Sequence, residues 1–191
     1  MTTGKPEGLK VFGSFKTIYE GLSELPADVQ KSWFAFDHFY SDNALPKALE
    51  AVFRNSPKTI LDIGGNTGKF ALACTKHSQY ATITILDLPG QIQMAKKSLQ
   101  DQLGFDRIDF HCSNILDESQ EFPKGYDAIW MSQFLDCFSE SEITSILRRC
   151  SASLNMNGGI FIIEPFWNRQ RFESASFAFL QTSTFILQLN Q

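Results

Sequence analysis

The chain has 191 residues, a length that fits one domain, and its 43% apolar residues and 18 phenylalanines are enough for a sizeable core. A net charge of −4 predicts no nucleic-acid partner, and the lack of a run of about 18 apolar residues predicts no membrane span. Four cysteines stand singly, without a Cys-x-x-Cys pair, which predicts reduced thiols in a cytoplasmic protein and no metal site.

The first part of the chain, residues 1–56, predicts a helical lead-in or linker to the main domain. A loose segment up to residue 25 precedes a predicted helix over 26–40 that has an aromatic face. Asp42 or Asn43 is a candidate cap for a second helix that ends near Phe53. Ser56-Pro57 then breaks the chain before the first strand.

Strand and helix patterns alternate through the main domain, residues 57–191. The predicted strands are 59–63, 82–86, 107–111, 126–131 and 159–163. The predicted helices are 68–78, 90–102, 140–153 and 170–188. Between the last two strands, Asn155-Met-Asn-Gly-Gly159 predicts a turn that ends one helix and starts the fifth strand. This alternation predicts an α/β fold with a doubly wound, mostly parallel sheet.

A glycine-rich loop, Asp62-Ile-Gly-Gly-Asn-Thr-Gly68, joins the first strand to a helix. Such a loop lets a ligand approach bare backbone, and the helix start presents free N–H groups. The dinucleotide pattern Gly-x-Gly-x-x-Gly fails because Asn66 and Lys69 occupy its last two glycine positions. No Gly-Lys-Ser/Thr closes the loop, so the Walker pattern is absent too. The glycines of the loop are Gly64, Gly65 and Gly68.

Two acidic residues narrow the predicted cofactor. Asp62 stands directly before the loop, where it would repel a pyrophosphate but would tolerate a cationic cofactor without phosphate. Asp87 ends the second strand, where a carboxylate can accept hydrogen bonds from ribose hydroxyls. S-adenosylmethionine has a sulfonium, an α-amino group, a ribose and no phosphate. We therefore predict that S-adenosylmethionine is the cofactor.

Three stretches in order, Asp62–Gly68, Leu86–Pro89 and Leu154–Glu164, resemble successive motifs of class I S-adenosylmethionine-dependent methyltransferases. More narrowly, the chain resembles the small-molecule O-methyltransferases of the plant caffeate and bacterial polyketide type, from about Thr17 onward. The family usually has glycine where Asn66 stands, and Asn tolerates left-handed backbone well. The resemblance implies a Rossmann-like methyltransferase fold and methylation of a small aromatic or polyketide-like hydroxyl.

The resemblance also implies which residues hold the cofactor. Asp62 and Gly64 would bind its methionine end, and Asp87 its ribose. Asn114 and Ile115 would flank the adenine. The family often places a lysine near the cofactor at the position of Ser132. The full predicted cofactor-binding set is Asp62, Gly64, Gly65, Asn66, Gly68, Asp87, Leu88, Asn114, Ile115 and Ser132.

Two carboxylates are the predicted catalytic residues. Family members carry a catalytic histidine after the fourth strand, and Asp136 takes that position here, while Glu164 stands where the family orients its histidine. An aspartate with an ordinary pKa of about 3.9 is a poor base for a phenol, so burial or a neighbouring carboxylate would have to raise it. The alternative is that Asp136 caps the helix that begins near Ser139, or lies in a solvated loop.

Aromatic residues at both ends of the chain are candidates for the acceptor pocket. We predict that Phe36, Tyr40 and Trp167 bind the substrate, although these residues could equally belong to the core. His38 is a candidate substitute base, with a packing role as the favoured alternative.

The family resemblance predicts that this chain is truncated. Family members carry an N-terminal winged-helix dimerisation domain and a C-terminal antiparallel hairpin, which we do not recognise in this sequence. A family-type homodimer is then possible only with the missing N-terminal domain. A non-catalytic cofactor-binding fragment or pseudoenzyme is the main alternative, and an NAD-dependent oxidoreductase is a lesser one. Methyl transfer to a carbon or nitrogen atom is a further alternative, because the cofactor-binding motifs do not depend on which atom accepts the methyl group.

Overall fold

A parallel five-stranded sheet organises the computed structural model, which describes residues 11, 13, 21–164, 166–169 and 171–177. The strands lie in the order β3-β2-β1-β4-β5. Their bounds are Thr59–Ile63 (β1), Thr82–Asp87 (β2), Ile108–Cys112 (β3), Tyr126–Ser132 (β4) and Leu154–Ile163 (β5). The longer helices are Ala27–Val52 (α1), Lys69–His77 (α2), Pro89–Leu99 (α3) and Glu140–Ser153 (α4).

The sheet carries helices on both of its faces, so the predicted doubly wound α/β fold is confirmed. Side chains alternate along each strand, because successive residues of a strand point to opposite faces. Ile60 therefore packs with α1, α2 and α3 in one core, whereas Leu61 packs with Ile146 and Cys150 of α4 in another. Strands buried on both faces read as apolar runs in the sequence, which is why the predicted strand positions were nearly right.

The order of the strands creates a crevice beside β1. From β1 the chain steps through β2 to β3, then crosses back to place β4 on the other side of β1. Ligands of open α/β sheets bind at such a switch point, outside the carboxyl ends of the strands. The residues that follow β1, β2 and β4 therefore surround the crevice.

The N-terminal region differs from the prediction of two helices. α1 runs without a break from Ala27 to Val52 and contains Pro46. Asp42 caps no second helix, because it lies inside this continuous helix, where its carboxylate forms an ion pair with Lys69 of α2. Ala48 and Val52 are 4% and 2% exposed, so packing on the sheet offsets the unfavourable proline within the helix.

The start of β5 also differs from the prediction. α4 ends at Ser153 and β5 begins at Leu154, so Asn155–Gly159 belongs to a strand and is not a separate turn. A shift in the pairing between β4 and β5 lies at Tyr126 and Ala128, opposite the glycines of this stretch. Of the predicted helix 170–188, residues 173–177 are helical, and 170 and 178–188 lie outside the described residues. No helix in the described part is both long and apolar enough to cross a membrane.

Candidate functional site

The glycine-rich loop turns sharply where β1 ends. Gly64 has a φ of +70°, and its N–H donates to the carbonyl oxygen of Leu86 at 2.9 Å. A Cβ at this position would lie 2.3 Å from Cδ2 of Phe134, so this ring packs directly on the bare backbone. Asn66 has a φ of +51°, a left-handed conformation that asparagine tolerates. The loop thus keeps the shape of a glycine loop despite Asn66.

Asp87 ties the end of β2 to the glycine loop. Its Oδ2 accepts a hydrogen bond from the Asn66 N–H at 3.0 Å, and its Oδ1 accepts one from the Leu88 N–H at 2.8 Å. Burial raises the pKa of Asp87 to about 6, although both hydrogen bonds favour the charged form. The carboxylate is therefore fixed in place at the edge of the crevice.

Asp62 is a buried acid with an unused oxygen. The residue is 2% exposed, and its Oδ2 has no hydrogen-bond partner within the described structure. Burial, together with the nearby charge of Asp87, raises the pKa of Asp62 to about 8. A buried polar atom of this kind is normally satisfied, so Asp62 has the chemistry to hold a cationic group of a ligand.

Two adjoining cavities occupy the crevice. The larger has a volume of about 230 Å³ and the smaller about 60 Å³. The larger is lined by seven of the predicted cofactor residues: Gly64, Asn66, Asp87, Leu88, Asn114, Ile115 and Ser132. The smaller is lined by five of them: Asp62, Gly64, Gly65, Asn66 and Ser132. The structure therefore brings together nine of the ten predicted residues.

Gly68, the tenth predicted residue, lines neither cavity. It has a φ of +77°, and its N–H donates to the carbonyl of Gly65 at 2.8 Å. A Cβ there would lie 2.3 Å from Cδ1 of Leu99, so Gly68 allows the turn into α2 to pack against α3. Its position gives it a role in shaping the loop.

The segment after β3 forms one wall of the larger cavity and is anchored by α4. Asn114 Oδ1 accepts from the Leu116 N–H at 3.0 Å, and Ile115 is 7% exposed. Arg149 of α4 donates to the carbonyl oxygen of Ile115, and its guanidinium carbon lies 4.4 Å from the ring centroid of Phe122. The sequence analysis missed Arg149, because nothing local in the sequence connects α4 with this loop.

Glu164 holds the loop that follows β4. Its Oε1 accepts hydrogen bonds from the N–H groups of Phe134 at 2.9 Å and Leu135 at 2.7 Å. Burial, together with the charge of Asp136, raises the pKa of Glu164 to about 7. Its Oε2 is buried without a partner in the described structure. Glu164 therefore fixes the backbone next to Asp136.

Asp136 lies in a short 3-10 helix, Leu135–Cys137, and its side chain is exposed. Enough protein surrounds the carboxyl group to raise its pKa, while the Cys137 thiol donates to Oδ1 at 3.4 Å. Asp136 lines neither cavity, whereas its neighbours Phe134 and Cys137 line the larger one. The capping alternative for Asp136 is wrong, because Ser139 caps α4 through a capping box with Glu142.

The predicted acceptor residues lie in helical segments near the two ends of the described chain. Phe36 and Tyr40 belong to α1 and Trp167 to a short 3-10 helix, but their side chains lie outside the described structure, as does that of His38. Residues that were not assigned from the sequence also line the larger cavity, and for Phe134 and Phe138 the aromatic cluster after β4 was the available signal. The others include Gln91, Ser113, Gln133 and Glu142.

Comparison with known families identifies the domain. The family model described as an O-methyltransferase domain matches residues 40–188. The chain belongs to this O-methyltransferase domain family, which confirms the resemblance inferred from the motifs.

The chain is similar to several characterised proteins. It is 23% identical over 159 residues to an L-tyrosine C(3)-methyltransferase of Streptomyces lavendulae, covering 83% of this chain and 43% of that protein. It is 26% identical over 165 residues to a norreticuline-7-O-methyltransferase of Papaver somniferum, and the match covers 84% of this chain and 43% of that protein. The structure of PigF with SAH superposes with a TM-score of 0.75 at 20% identity, covering 100% of this chain and 55% of that one. The chain thus spans less than half the length of these two sequence relatives.

Proposed function

We propose that this chain binds S-adenosylmethionine and methylates a hydroxyl group of a small aromatic or polyketide-like molecule. The observation that carries the proposal is the pair of carboxyl groups beside the glycine loop at the sheet's switch point, the buried Asp62 and the half-buried Asp87. The unpaired Oδ2 of Asp62 suits the cofactor's α-ammonium group, and Asp87 suits its ribose hydroxyls. Family membership and the structure of PigF with SAH support the same assignment.

The remaining predicted cofactor residues divide between the two cavities. Asn114 and Ile115 form the wall that suits an adenine, and Ser132 borders both cavities. When bound, S-adenosylmethionine supplies a sulfonium-bound methyl group. The chain's own contribution is to orient an acceptor oxygen toward that group and to exclude water, and such positioning supplies much of the rate of a two-substrate reaction.

We assign proton removal to Asp136, with Glu164 as the residue that positions it. Asp136 has a raised pKa, which makes its carboxylate a better base for a hydroxyl group than an ordinary aspartate. Glu164 holds the Phe134 and Leu135 N–H groups and so fixes the backbone directly before Asp136. The charges of the two carboxylates interact, so protons bind to them as a coupled pair.

Transfer of a labelled methyl group to a panel of small phenols tests the proposal. We expect the chain to label at least one phenol and the Asp136→Ala variant to lose about 100-fold in rate, the usual contribution of a general base. Asp106→Ala, which changes an exposed acid far from the cavities, serves as the control. Equal rates for wild type and Asp136→Ala would contradict the assigned base.

Two other functions have an observation in their favour. A carbon acceptor is supported by the similarity to an L-tyrosine C(3)-methyltransferase, and the position of the label in the product separates it from O-methylation. A non-catalytic cofactor-binding protein is supported by Asp136 lining neither cavity. That alternative predicts binding of S-adenosylhomocysteine without labelling of any phenol. An NAD-dependent oxidoreductase is disfavoured by the failed glycine spacing at Asn66.

We also propose a reducing, cytoplasmic location. The four cysteines of the chain are free thiols, and Cys74 and Cys150 are buried. Unpaired cysteines of this kind are typical of proteins in reducing compartments.

A further inference from the structure

The smaller cavity has one acidic and one basic residue in its lining. It lies between helix α1 and the glycine loop, and its charged lining residues in the described structure are Asp62 and Lys69. Asp62 contributes a buried carboxyl group whose Oδ2 has no hydrogen-bond partner there. Lys69, the first residue of α2, lines the same cavity and carries an ammonium group at the end of its side chain. A carboxyl group and an ammonium group that line one cavity of about 60 Å³ complement a small ligand group that carries a positive and a negative charge.

Lys69 is held at this cavity by helix α1. Its Nζ forms an ion pair with Asp42, and the two side chains are 41% and 48% exposed. An ammonium group has three N–H donors, so contact with Asp42 leaves donors for another acceptor. The ion pair therefore fixes the direction of the lysine without exhausting its capacity for hydrogen bonds.

We infer that the smaller cavity recognises the amino-acid end of the cofactor as a zwitterion, with Lys69 binding the α-carboxylate opposite the Asp62–ammonium contact. This inference rests on the proposed function and adds a residue to it. Gly64, Asn66 and Ser132 border both cavities, so one ligand can extend from the larger cavity into the smaller. The N-terminus of α2, where Lys69 lies, also favours a negative charge.

Helix α1 is then part of the cofactor site. Ser41, Ala44, Leu45 and Ala48 of α1 form the wall of the smaller cavity that faces the glycine loop. Asp42, on the same helix, orients Lys69. Helix α1, which the sequence predicts only as a lead-in to the main domain, thus forms the wall of the cofactor site next to the α-carboxylate of the cofactor.

Calorimetric titration with two matched ligands tests the role of Lys69. S-adenosylhomocysteine carries both charges, whereas its decarboxylated analogue keeps the ammonium and lacks the carboxylate. We expect wild type to bind S-adenosylhomocysteine about tenfold more tightly than the analogue, the lower end for a charged hydrogen bond at a half-exposed group. Lys69→Met should remove this preference by weakening S-adenosylhomocysteine about tenfold and changing the analogue less than about twofold.

Two further variants make the test specific. Lys76→Met removes an exposed lysine from the same helix α2 and should leave both affinities at the wild-type value. Lys69→Arg keeps the cation and should retain most of the preference for the carboxylate. Equal losses for both ligands in Lys69→Met, or an unchanged preference, would overturn the role of Lys69. If wild type binds neither ligand, the proposed function itself fails.

Discussion

Three carboxyl groups at the crevice are kept away from water, and each has a raised pKa. Burial raises the pKa of Asp62 to about 8, that of Glu164 to about 7 and that of Asp87 to about 6. A carboxyl group of this kind binds a proton more readily in the folded chain than in the unfolded one. These carboxyl groups therefore take up protons when the chain folds. A cationic ligand group next to Asp62 would favour its ionised form, so binding would release the proton of that carboxyl group.

The stability of the free chain should consequently fall as pH rises from about 4 to about 8. The pKa of each of these carboxyl groups is higher in the folded chain than in the unfolded chain. Each group therefore stabilises the fold fully at a pH below its unfolded pKa, and this stabilisation is lost as the pH rises through its folded pKa. We expect a higher urea midpoint at pH 5 than at pH 8. Asp62→Asn, which cannot ionise, should reduce this difference, whereas Asp101→Asn, an exposed control, should not. A midpoint that rises from pH 5 to pH 8 would contradict the burial of these groups.

The positions of the three acidic residues are predictable from the sequence, but the hydrogen bonds of their carboxyl groups are not. Asp62, Asp87 and Glu164 lie at or next to the carboxyl ends of parallel strands, which is a recognisable position. Whether Glu164 would face Asp136 or hold the backbone depends on how β5 lies beside β4, and no local pattern encodes that pairing. The structure supplies the two N–H donors that occupy Oε1 of Glu164.

Among the elements, α4 stabilises the wall of the larger cavity at a distance. Arg149 binds the carbonyl of Ile115, donates to the carbonyl of Asp117 at 3.4 Å and covers the ring of Phe122. The guanidinium thus joins a helix to the connection between β3 and β4. Arg149 is a positioning residue for Asn114 and Ile115.

Arg149→Met should weaken binding of S-adenosylhomocysteine about fivefold to tenfold, because the adenine wall loses its anchor while the methionine side chain still packs on Phe122. Arg148→Met removes an exposed arginine one residue earlier in α4 and should leave the affinity unchanged. Binding of L-methionine alone, which lacks the adenine, should be equally weak in wild type and in both variants. Unchanged affinity of Arg149→Met for S-adenosylhomocysteine would show that the wall holds its shape without Arg149.

The elements that sequence analysis misjudged are those whose ends depend on distant contacts. β1 to β4 lie within a residue of their predicted bounds, because their apolar runs reflect burial on both faces. The break predicted near Asp42 is absent because α1 continues through this position and packs Ala48 and Val52 into the core. β5 begins five residues before its predicted start because its pairing with β4 continues past the glycines.

In the whole molecule, the strand order gathers the site. Asp62, Asp87 and Glu164 come from different strands, yet parallel strands bring their carboxyl ends to one edge of the sheet. Because the family motifs and the alternating strand and helix patterns both predict this architecture, the sequence sufficed to assign the class of fold and to name nine residues that line the two cavities. It could not reveal that α1 closes the smaller cavity or that α4 anchors the larger one.

The most direct test of the account is titration of the intact chain with S-adenosylhomocysteine, with NAD as the matched nucleotide control. The account predicts one saturable site for S-adenosylhomocysteine and a rise in melting temperature, since ligand at 100 times its Kd adds about 2.7 kcal/mol to the free energy of unfolding. It predicts no rise with NAD, because the glycine spacing of dinucleotide sites fails at Asn66 and because the Asp87 carboxyl group, with a pKa of about 6, is charged at neutral pH beside the loop. Absence of binding by S-adenosylhomocysteine at millimolar concentration, or an equal rise with NAD, would contradict it.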